Sequence, residues 1–348
     1  MKKNHIIYLL MVVSASVSAF LFYKLNIPLP WMLGPMFAII ILKLKYPAEV
    51  YFSITLRNWL IIPLGYNIGA QVTSSAVQEI MNQLAGITIA TFMIIFVCIA
   101  LAWWTTRVTG VSFASSAIGN MPGGLTPMLL LCESIPRADV GVVAILQSLR
   151  LMGAIAVVPI ILSVSFGDSV GTNAARDILQ IDYMDIPVWL LVIVAVTGAV
   201  LGHYMHMPAD FFLGPLVATS ALSLFMGGHL PEAPNWLMAL AQIATGMYLG
   251  TCIDPLQMGK NKKLLIVAII GVVVIIATSL LIGYILSIYF GFSVATAFLA
   301  CAPGGVAEMC ITGMVMGENV PIILSYQLFR LLFLNFIMPI SLKWYFTR

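Results

Sequence analysis

The sequence predicts an all-α polytopic membrane protein made of two inverted repeats of five transmembrane helices, with about ten crossings of a hydrocarbon core. Two observations lead to this fold class. Apolar residues make up 61% of the 348 residues and charged residues only 8%, whereas soluble domains contain roughly 25% charged residues. The second half of the chain also repeats the first at an offset of 180 to 181 residues.

Three motifs define the repeat, and they recur in the same order and at the same spacing. These are Leu-Gly-Pro, Pro-Gly-Gly and Gln-x-x-Arg. The recurring sets are Leu33-Gly34-Pro35 with Leu213-Gly214-Pro215, Pro122-Gly123-Gly124 with Pro303-Gly304-Gly305, and Gln147 and Arg150 with Gln327 and Arg330. We therefore predict a first transmembrane repeat over 1–165, a linker over 166–186 and an inverted second repeat over 187–348.

Uncharged runs place the crossings, because about 20 helical residues span a hydrocarbon core of about 30 Å. Such runs cover 80–106, 151–167, 186–209 and 264–307, and the last is too long for one crossing. The predicted spans are 6–24, 29–44, 57–73, 83–106 and 139–164, with copies at 187–207, 211–228, 235–252, 264–288 and 319–341. Since 6–24 aligns with an internal span, we interpret it as a retained helix rather than a secretory signal peptide.

An apolar segment broken by Gly and Pro separates the fourth and fifth spans of each repeat, at 110–132 and 292–315. Each segment either crosses once as a broken helix or enters the membrane and returns. The basic residues favour the second interpretation, because cytoplasmic loops are rich in Lys and Arg. In the first copy they lie in the loops after the second and fourth spans (Lys43, Lys45, Arg57, Arg107, Arg137). In the second copy they lie instead in the loop between the third and fourth spans (Lys260, Lys262, Lys263). That swap indicates inversion with both termini cytoplasmic, and a parallel twelve-crossing arrangement ranks second.

The two Pro-Gly-Gly breaks are the predicted solute site. Non-helical backbone survives at membrane depth where it is buried in protein or lines a watery cavity. A break also exposes the N-terminus of a half-helix, whose free N–H groups attract anions. One isolated break would be interpreted as a simple kink, but its duplication favours a transporter site. The predicted substrate-binding residues are Asn120, Pro122, Gly123, Gly124, Thr126, Arg150, Pro303, Gly304, Gly305 and Arg330.

Arg150 and Arg330 each lie near the middle of a fifth span, where a charge is costly. Two roles are open for them: contact with an anionic substrate, or a structural bond to carbonyl groups freed at the neighbouring break. Gln147 and Gln327 precede the arginines by three residues and are predicted to support either role. Asn67 and Gln71 in the third span are further supporting candidates.

Glu308 follows Gly305 in the second broken segment, whereas Pro127 occupies the matching position of the first copy. A carboxylate in this environment is predicted either to couple transport to protons or to neutralise one of the arginines.

Enzyme chemistry finds little support in the sequence. It contains no Gly-rich nucleotide loop and no nucleophile elbow. His203 and His206 have the spacing of a ligand pair, with Asp210 nearby, but no third histidine is close in sequence. We expect no metal, no cofactor and no nucleic acid. The expected partners are the lipid bilayer and a small-molecule or anion substrate, and a homodimer is left open.

Residues 30–35, Pro-Trp-Met-Leu-Gly-Pro, together with the paired Pro-Gly-Gly motifs, resemble the AbrB family of bacterial inner-membrane proteins. The resemblance covers nearly the whole chain and implies a multi-pass inner-membrane protein, distantly related to cation:proton antiporters and anion transporters. Family members carry the labels ammonia monooxygenase or regulator of the gene aidB, and neither label follows from these residues. A small soluble DNA-binding regulator shares the family's name without resembling this chain.

The sequence therefore predicts a secondary transporter of a small anionic solute, with proton coupling through Glu308. A membrane-embedded regulator or sensor on a transporter scaffold is the alternative. A membrane oxygenase ranks third, because it would require a metal.

Overall fold

The computed structural model describes residues 2–165, 188–227, 230–252 and 262–347, and all regular structure in these ranges is helical. The predicted linker 166–186 lies outside the described residues. The first half contains α1 (Lys2–Lys24), α2 (Pro30–Lys45), α3 (Ile54–Ala70), α4 (Ser74–Asn82), α5 (Leu84–Thr109), α6 (Phe113–Asn120), α7 (Leu125–Glu133) and α8 (Val140–Ser165). The second half contains α9 (Val188–Tyr204), α10 (Asp210–Phe225), α11 (Asn235–Cys252), α12 (Lys262–Phe290), α13 (Val294–Cys301), α14 (Val306–Val315), α15 (Val320–Leu332), a π-helical turn (Phe333–Ile337) and α16 (Met338–Thr347).

Membrane-length helices agree with the predicted class of helical membrane protein. Those long and apolar enough to cross a bilayer, among the described residues, are Ile6–Lys24, Leu84–Thr109, Val140–Ser165, Lys262–Phe290 and Val320–Phe346. The other five predicted spans coincide with α2, α3, α9, α10 and α11, which are 16 to 18 residues long. A helix of 18 residues measures about 27 Å, slightly less than a hydrocarbon core of about 30 Å. The total of ten crossings therefore stays a prediction.

The chain forms two compact units, and each unit takes segments from both halves of the sequence. Unit 1 comprises Met1–Glu79, Ser163–Pro255 and Met314–Pro321. Unit 2 comprises Ile80–Leu162, Leu256–Gly313 and Ile322–Arg348, and it holds both Pro-Gly-Gly motifs. The structural units are thus assembled across the predicted repeats, whose boundaries at 165 and 187 stay a prediction from the sequence.

In unit 1, α3 packs on α10 through glycines that let the two backbones touch. A Cβ atom at Gly65 would collide with the carbonyl oxygen of Phe212, and one at Gly69 would approach that of Leu216 equally closely. The hydroxyl of Ser223 on α10 also donates to the carbonyl of Val72, at 3.0 Å, just past the end of α3. Small residues at such contacts allow the close approach on which helix association in membranes depends.

The same contact recurs in unit 1 between α11 and α2, at the matching positions. A Cβ at Gly246 would collide with the carbonyl of Met32, and one at Gly250 would crowd that of Met36. Lys43 on α2 donates to the carbonyl of Thr251 near the C-terminus of α11, where a cation interacts favourably with the helix dipole. The predicted third span of each copy, α3 or α11, therefore packs on the second span of the other copy, α10 or α2.

Unit 2 is organised around α5 and α12, which carry the half-helices α6 and α13. Its core contains Ile94 and Cys98 of α5, Ile118 of α6 and Ile275 of α12, all buried. Gly283 of α12 lies against the backbone of α13, where a Cβ would stand 2.8 Å from the nitrogen of Phe298. These contacts hold each half-helix in the interior of the unit.

Candidate functional site

Two helix breaks form the candidate site, and their backbones are built alike. Glycines with positive φ, Gly110 (75°) and Gly291 (76°), precede the half-helices α6 and α13. Ser112 and Ser293 then cap these half-helices by accepting a hydrogen bond from the backbone N–H three residues later, at 3.1 and 2.9 Å. Such caps satisfy N–H groups that have no partner within the helix.

Each half-helix ends before its Pro-Gly-Gly motif, and a second short helix begins directly after it. The helix α6 ends at Asn120 and α7 begins at Leu125, while α13 ends at Cys301 and α14 begins at Val306. The predicted residues Pro122, Gly123, Pro303 and Gly304 therefore lie in non-helical backbone. Gly124 precedes α7 directly as its N-cap, and Gly305 directly precedes α14.

The middle glycine of each motif makes room for a buried methionine. A Cβ atom at Gly123 would collide with the terminal methyl group of Met128, and one at Gly304 with that of Met309. Both methionines are fully buried. A larger residue at either glycine would therefore displace a core side chain, which explains the glycine in chemical terms.

Arg330 binds the carbonyl end of the half-helix α13. Its Nη1 donates to Cys301 at 3.0 Å, and its Nη2 donates to Ala302 at 2.9 Å and to Gly304 at 3.4 Å. Gln327 accepts a further hydrogen bond from Nη2. The Gln327 amide itself donates to Leu299 at 2.7 Å and to Ala302 at 3.0 Å.

Arg150 makes the equivalent contacts at the end of α6. Its Nη1 donates to Met121, and its Nη2 donates to Gly123 at 3.2 Å and to the Gln147 side chain at 2.8 Å. The Gln147 amide donates to Ile118 at 2.8 Å and to Met121 at 3.0 Å. Arg150 and Arg330 are 4% and 3% exposed. Each Gln-x-x-Arg motif therefore hydrogen-bonds its own helix, α8 or α15, to the break in the same repeat copy.

These contacts have a clear electrostatic basis. The last carbonyls of a helix carry a partial negative charge of about half an electron, and a buried cation is stabilised beside them. The partial charges at the C-termini of α6 and α13 offset those at the N-termini of α7 and α14. The described geometry is the one expected of a structural bond, and substrate contact by the arginines stays a prediction.

The two breaks differ at one position. Glu308 lies in the first turn of α14, is 5% exposed, and its carboxylate lies so close to Gly305 that a Cβ there would overlap it. In the first copy, a Cβ at Gly124 would stand 3.2 Å from the ring of Pro127. The second break, which carries Glu308, therefore tolerates a side chain at Gly305 less well than the first break does at Gly124. A carboxylate in the first turn of a helix is also favoured by the helix dipole.

The remaining predicted polar residues have different surroundings. The Asn120 side chain donates to the carbonyl of Ser116 at 2.9 Å and to the Thr105 hydroxyl at 3.5 Å within unit 2. The side chain of Thr126 lies outside the described part of the structure. Asn67 and Gln71 belong to unit 1, where they line a cavity described below, and not to the breaks of unit 2.

His203 forms a local pair with Asp210, Nδ1 to Oδ2 at 2.6 Å, and its side chain is 70% exposed. Asp210 is the first residue of α10, where a carboxylate is favoured by the helix dipole. The spacing of His203 and His206 in the sequence does not predict this pairing of His203 with Asp210.

A cavity of about 310 Å³ in unit 1 was not predicted from the sequence. Its lining comes from α2, α3, α11 and the residues around Gly317, which are far apart in the chain. It includes Gln242, Glu232 and Glu318. The residue that matches Gln242 in the first half is Ile61, so Gln242 is not one of the repeated residues that predict the site.

The described residues form helices, and five of these are long and apolar enough to cross a bilayer, which defines the class as a helical membrane protein. The chain belongs to the AbrB family, since the family model described as Transition state regulatory protein AbrB matches residues 31–346.

Two relatives align with most of the chain. An uncharacterized protein of Bacillus subtilis (strain 168), YhjN, is 23% identical over 347 residues, which cover 93% of this chain and 89% of the relative. A protein of Escherichia coli (strain K12), provisionally named regulator AbrB, is 22% identical over 316 residues, with 89% of this chain and 88% of the relative covered.

Proposed function

We propose that this chain is a secondary transporter that moves a small polar solute across the membrane by alternating access. The observation that carries the proposal is the pair of helix breaks in unit 2, each held at its carbonyl end by a buried Gln-x-x-Arg motif. Unsatisfied backbone groups in hydrocarbon cost several kcal/mol each. A duplicated break is therefore expected where backbone must meet a solute or water.

The inverted arrangement of ten crossings is part of this proposal. Its support is the opposite loop placement of Lys and Arg in the two halves. The reciprocal packing inside unit 1 adds to it, because Gly65 and Gly246 meet Phe212 and Met32 at positions related by the repeat offset. Transporters built from inverted repeats place interrupted helices at the solute site.

The predicted charge of the transported solute depends on a small excess of positive charge at the two breaks. Arg150, Arg330 and Glu308 give the two breaks a formal charge of +1, and the opposed half-helix ends add little net charge. An anion therefore stays the predicted solute of this centre. Glu308 is the proposed proton carrier, because it is the acidic residue placed at a break and its counterpart in the other copy is Pro127.

Solute accumulation in proteoliposomes tests the proposal. Vesicles containing the purified protein are incubated with a defined mixture of small metabolites under an imposed pH gradient, washed, and analysed by mass spectrometry. We expect a narrow set of solutes to accumulate over empty vesicles. Glu308→Gln should abolish the effect of the gradient, while Glu133→Gln, an exposed glutamate on α7, should leave it unchanged. Contents identical to those of empty vesicles would contradict transport.

A membrane-embedded regulator is the second candidate. The specific observation in its favour is the name of the Escherichia coli relative, which describes that protein as a regulator. Such a role predicts that deletion of the gene alters expression of a target while the purified protein transports nothing. The accumulation assay thus distinguishes the two candidates directly.

A further inference from the structure

The cavity of unit 1 is lined by both polar and apolar side chains, and no residue of the two Pro-Gly-Gly motifs is among them. It lies at the start of α2, the end of α3 and the start of α11, and residues around Gly317 complete it. Its volume of about 310 Å³ is at the small end of the range of roughly 300 to 1,000 Å³ that ligand sites occupy.

Gln242 is the first sign that a ligand belongs in this cavity. The residue is 7% exposed, and its side-chain amide lines the cavity without a hydrogen-bond partner among the described residues. Gln71, at the end of α3, lines the same cavity, and its side chain likewise forms no hydrogen bond with the described residues. A buried amide without a partner is costly, so these groups favour a molecule that hydrogen-bonds to them.

Asn67 serves as a fixed wall rather than as a free group. Its oxygen accepts a hydrogen bond from the backbone N–H of Ala233 at 2.9 Å, and its nitrogen contacts the Met314 sulfur at 3.5 Å. Asn67 therefore ties α3 to the segment before α11 and to the last turn of α14, which gives the cavity a defined shape.

The charged side chains of the cavity are acidic. Glu232 and Glu318 line it, and the described lining residues include no Lys, Arg or His. Trp31 contributes an aromatic ring, whose face attracts cations. Among the described residues no group of three or more His, Cys, Asp or Glu side chains is arranged to hold a metal ion, so the lining suits an organic cation better than a bare metal ion.

We infer that this cavity is a binding site for a small organic cation carrying hydrogen-bonding groups, such as a hydroxylated amine. The carboxylates of Glu232 and Glu318 meet its positive charge, and the amides of Gln242 and Gln71 meet its polar groups. The site is distinct from the breaks of unit 2 and opposite to them in charge preference. The proposed transporter topology places this cavity on the non-cytoplasmic face, but the binding inferred here does not depend on that topology.

Three probes of nearly equal shape test the charge preference by isothermal titration calorimetry on the full-length protein in detergent. Diethanolamine is cationic at pH 7, diethylene glycol is neutral, and (2-hydroxyethoxy)acetate is anionic. We expect saturable binding of diethanolamine with a Kd at least tenfold lower than that of either other probe. Equal binding of the three probes, or no saturable binding of diethanolamine, would overturn the inference.

Variants locate the binding site. Glu318→Gln and Glu232→Gln should each raise the Kd for diethanolamine at least fivefold, and Gln242→Met should do the same without changing the net charge. Glu133→Gln and Gln83→Met are the matched controls, because both residues belong to unit 2, and they should leave the Kd unchanged. Glu232 is exposed, so its variant is expected to fold even where Gln242→Met does not.

Unchanged affinity in Glu232→Gln and Glu318→Gln would overturn the assignment to this cavity. Because calorimetry needs no transport, binding with no solute accumulation in vesicles would refute the proposed function alone. Accumulation without diethanolamine binding would refute this inference alone.

Discussion

Replacing Arg330 tests whether the Gln-x-x-Arg motif is a structural bond. The guanidinium serves three carbonyl groups at the end of α13 and lies almost fully buried. Without the guanidinium, the carbonyl groups of Cys301 and Gly304 lose their donor, and each buried acceptor left unpaired costs about 1–3 kcal/mol. At about 2 °C per kcal/mol for a chain of this size, Arg330→Met should lower the Tm by about 4–12 °C.

Arg330→Lys separates charge from geometry. A lysine keeps the positive charge near the C-terminus of α13, but a single ammonium group cannot replace the planar fork that reaches Cys301 and Gly304 together. We therefore expect Arg330→Lys to recover less than half of the Tm lost in Arg330→Met. Arg150→Met should lose as much as Arg330→Met, because Arg150 makes the matching contacts.

The assay uses the protein's own thiols. Cys98, Cys132, Cys301 and Cys310 are free and buried in unit 2, so a thiol-reactive fluorescent dye reports when this unit opens during a thermal ramp. Arg107→Met is the control, since Arg107 is exposed at the end of α5 and its guanidinium lies 5.1 Å from the ring centroid of Trp103. A Tm for Arg330→Met equal to that of Arg107→Met, with solute binding lost, would refute the structural role and favour substrate contact.

Three further predictions follow from the packing and the charge pattern. Gly305→Ala should displace the Glu308 carboxylate and destabilise the fold by about 1–3 kcal/mol, whereas Gly124→Ala should be milder in the same thermal ramp; equal losses would contradict the asymmetry. Gly65→Ala should weaken the contact of α3 with α10 by about 1–3 kcal/mol, while Gly271→Ala, whose new Cβ meets only Asn120 at 3.8 Å, should be neutral or stabilising; similar thermal shifts in both would count against backbone contact. Reporter fusions after Arg107 and after Lys262 should both give cytoplasmic signals, and a non-cytoplasmic signal at Lys262 would exclude the inverted topology.

The sequence allowed the breaks and their partners to be predicted because duplication repeats the residues that the geometry requires. Pro-Gly-Gly recurs where each half-helix ends, and Gln-x-x-Arg recurs in the helix that hydrogen-bonds to that end. The repeat could not say how each guanidinium is used, because a buried arginine bonds an anion and a carbonyl group with the same donors. In the structure Arg330 donates to the carbonyl groups of Cys301 and Ala302, and substrate contact stays a prediction.

Two other features were beyond the sequence for a different reason. The exchange of partners in unit 1, where Gly65 meets Phe212 and Gly246 meets Met32, is a property of tertiary packing that apolar periodicity does not encode. The cavity around Gln242 gathers residues from four distant segments, and the residue that matches Gln242 in the first half is the apolar Ile61. The repeat reveals only the residues that the two halves share, and Gln242 is not one of them.

Solute counterflow in proteoliposomes tests the central claim of alternating access most directly. Vesicles preloaded with an unlabelled solute found in the accumulation screen are diluted into a trace of the same solute in labelled form. Alternating access predicts a transient accumulation of label above equilibrium, absent from empty vesicles, because a carrier returns with solute from either side. Label that only equilibrates would contradict alternating access, and label that never enters would contradict transport and favour the regulator.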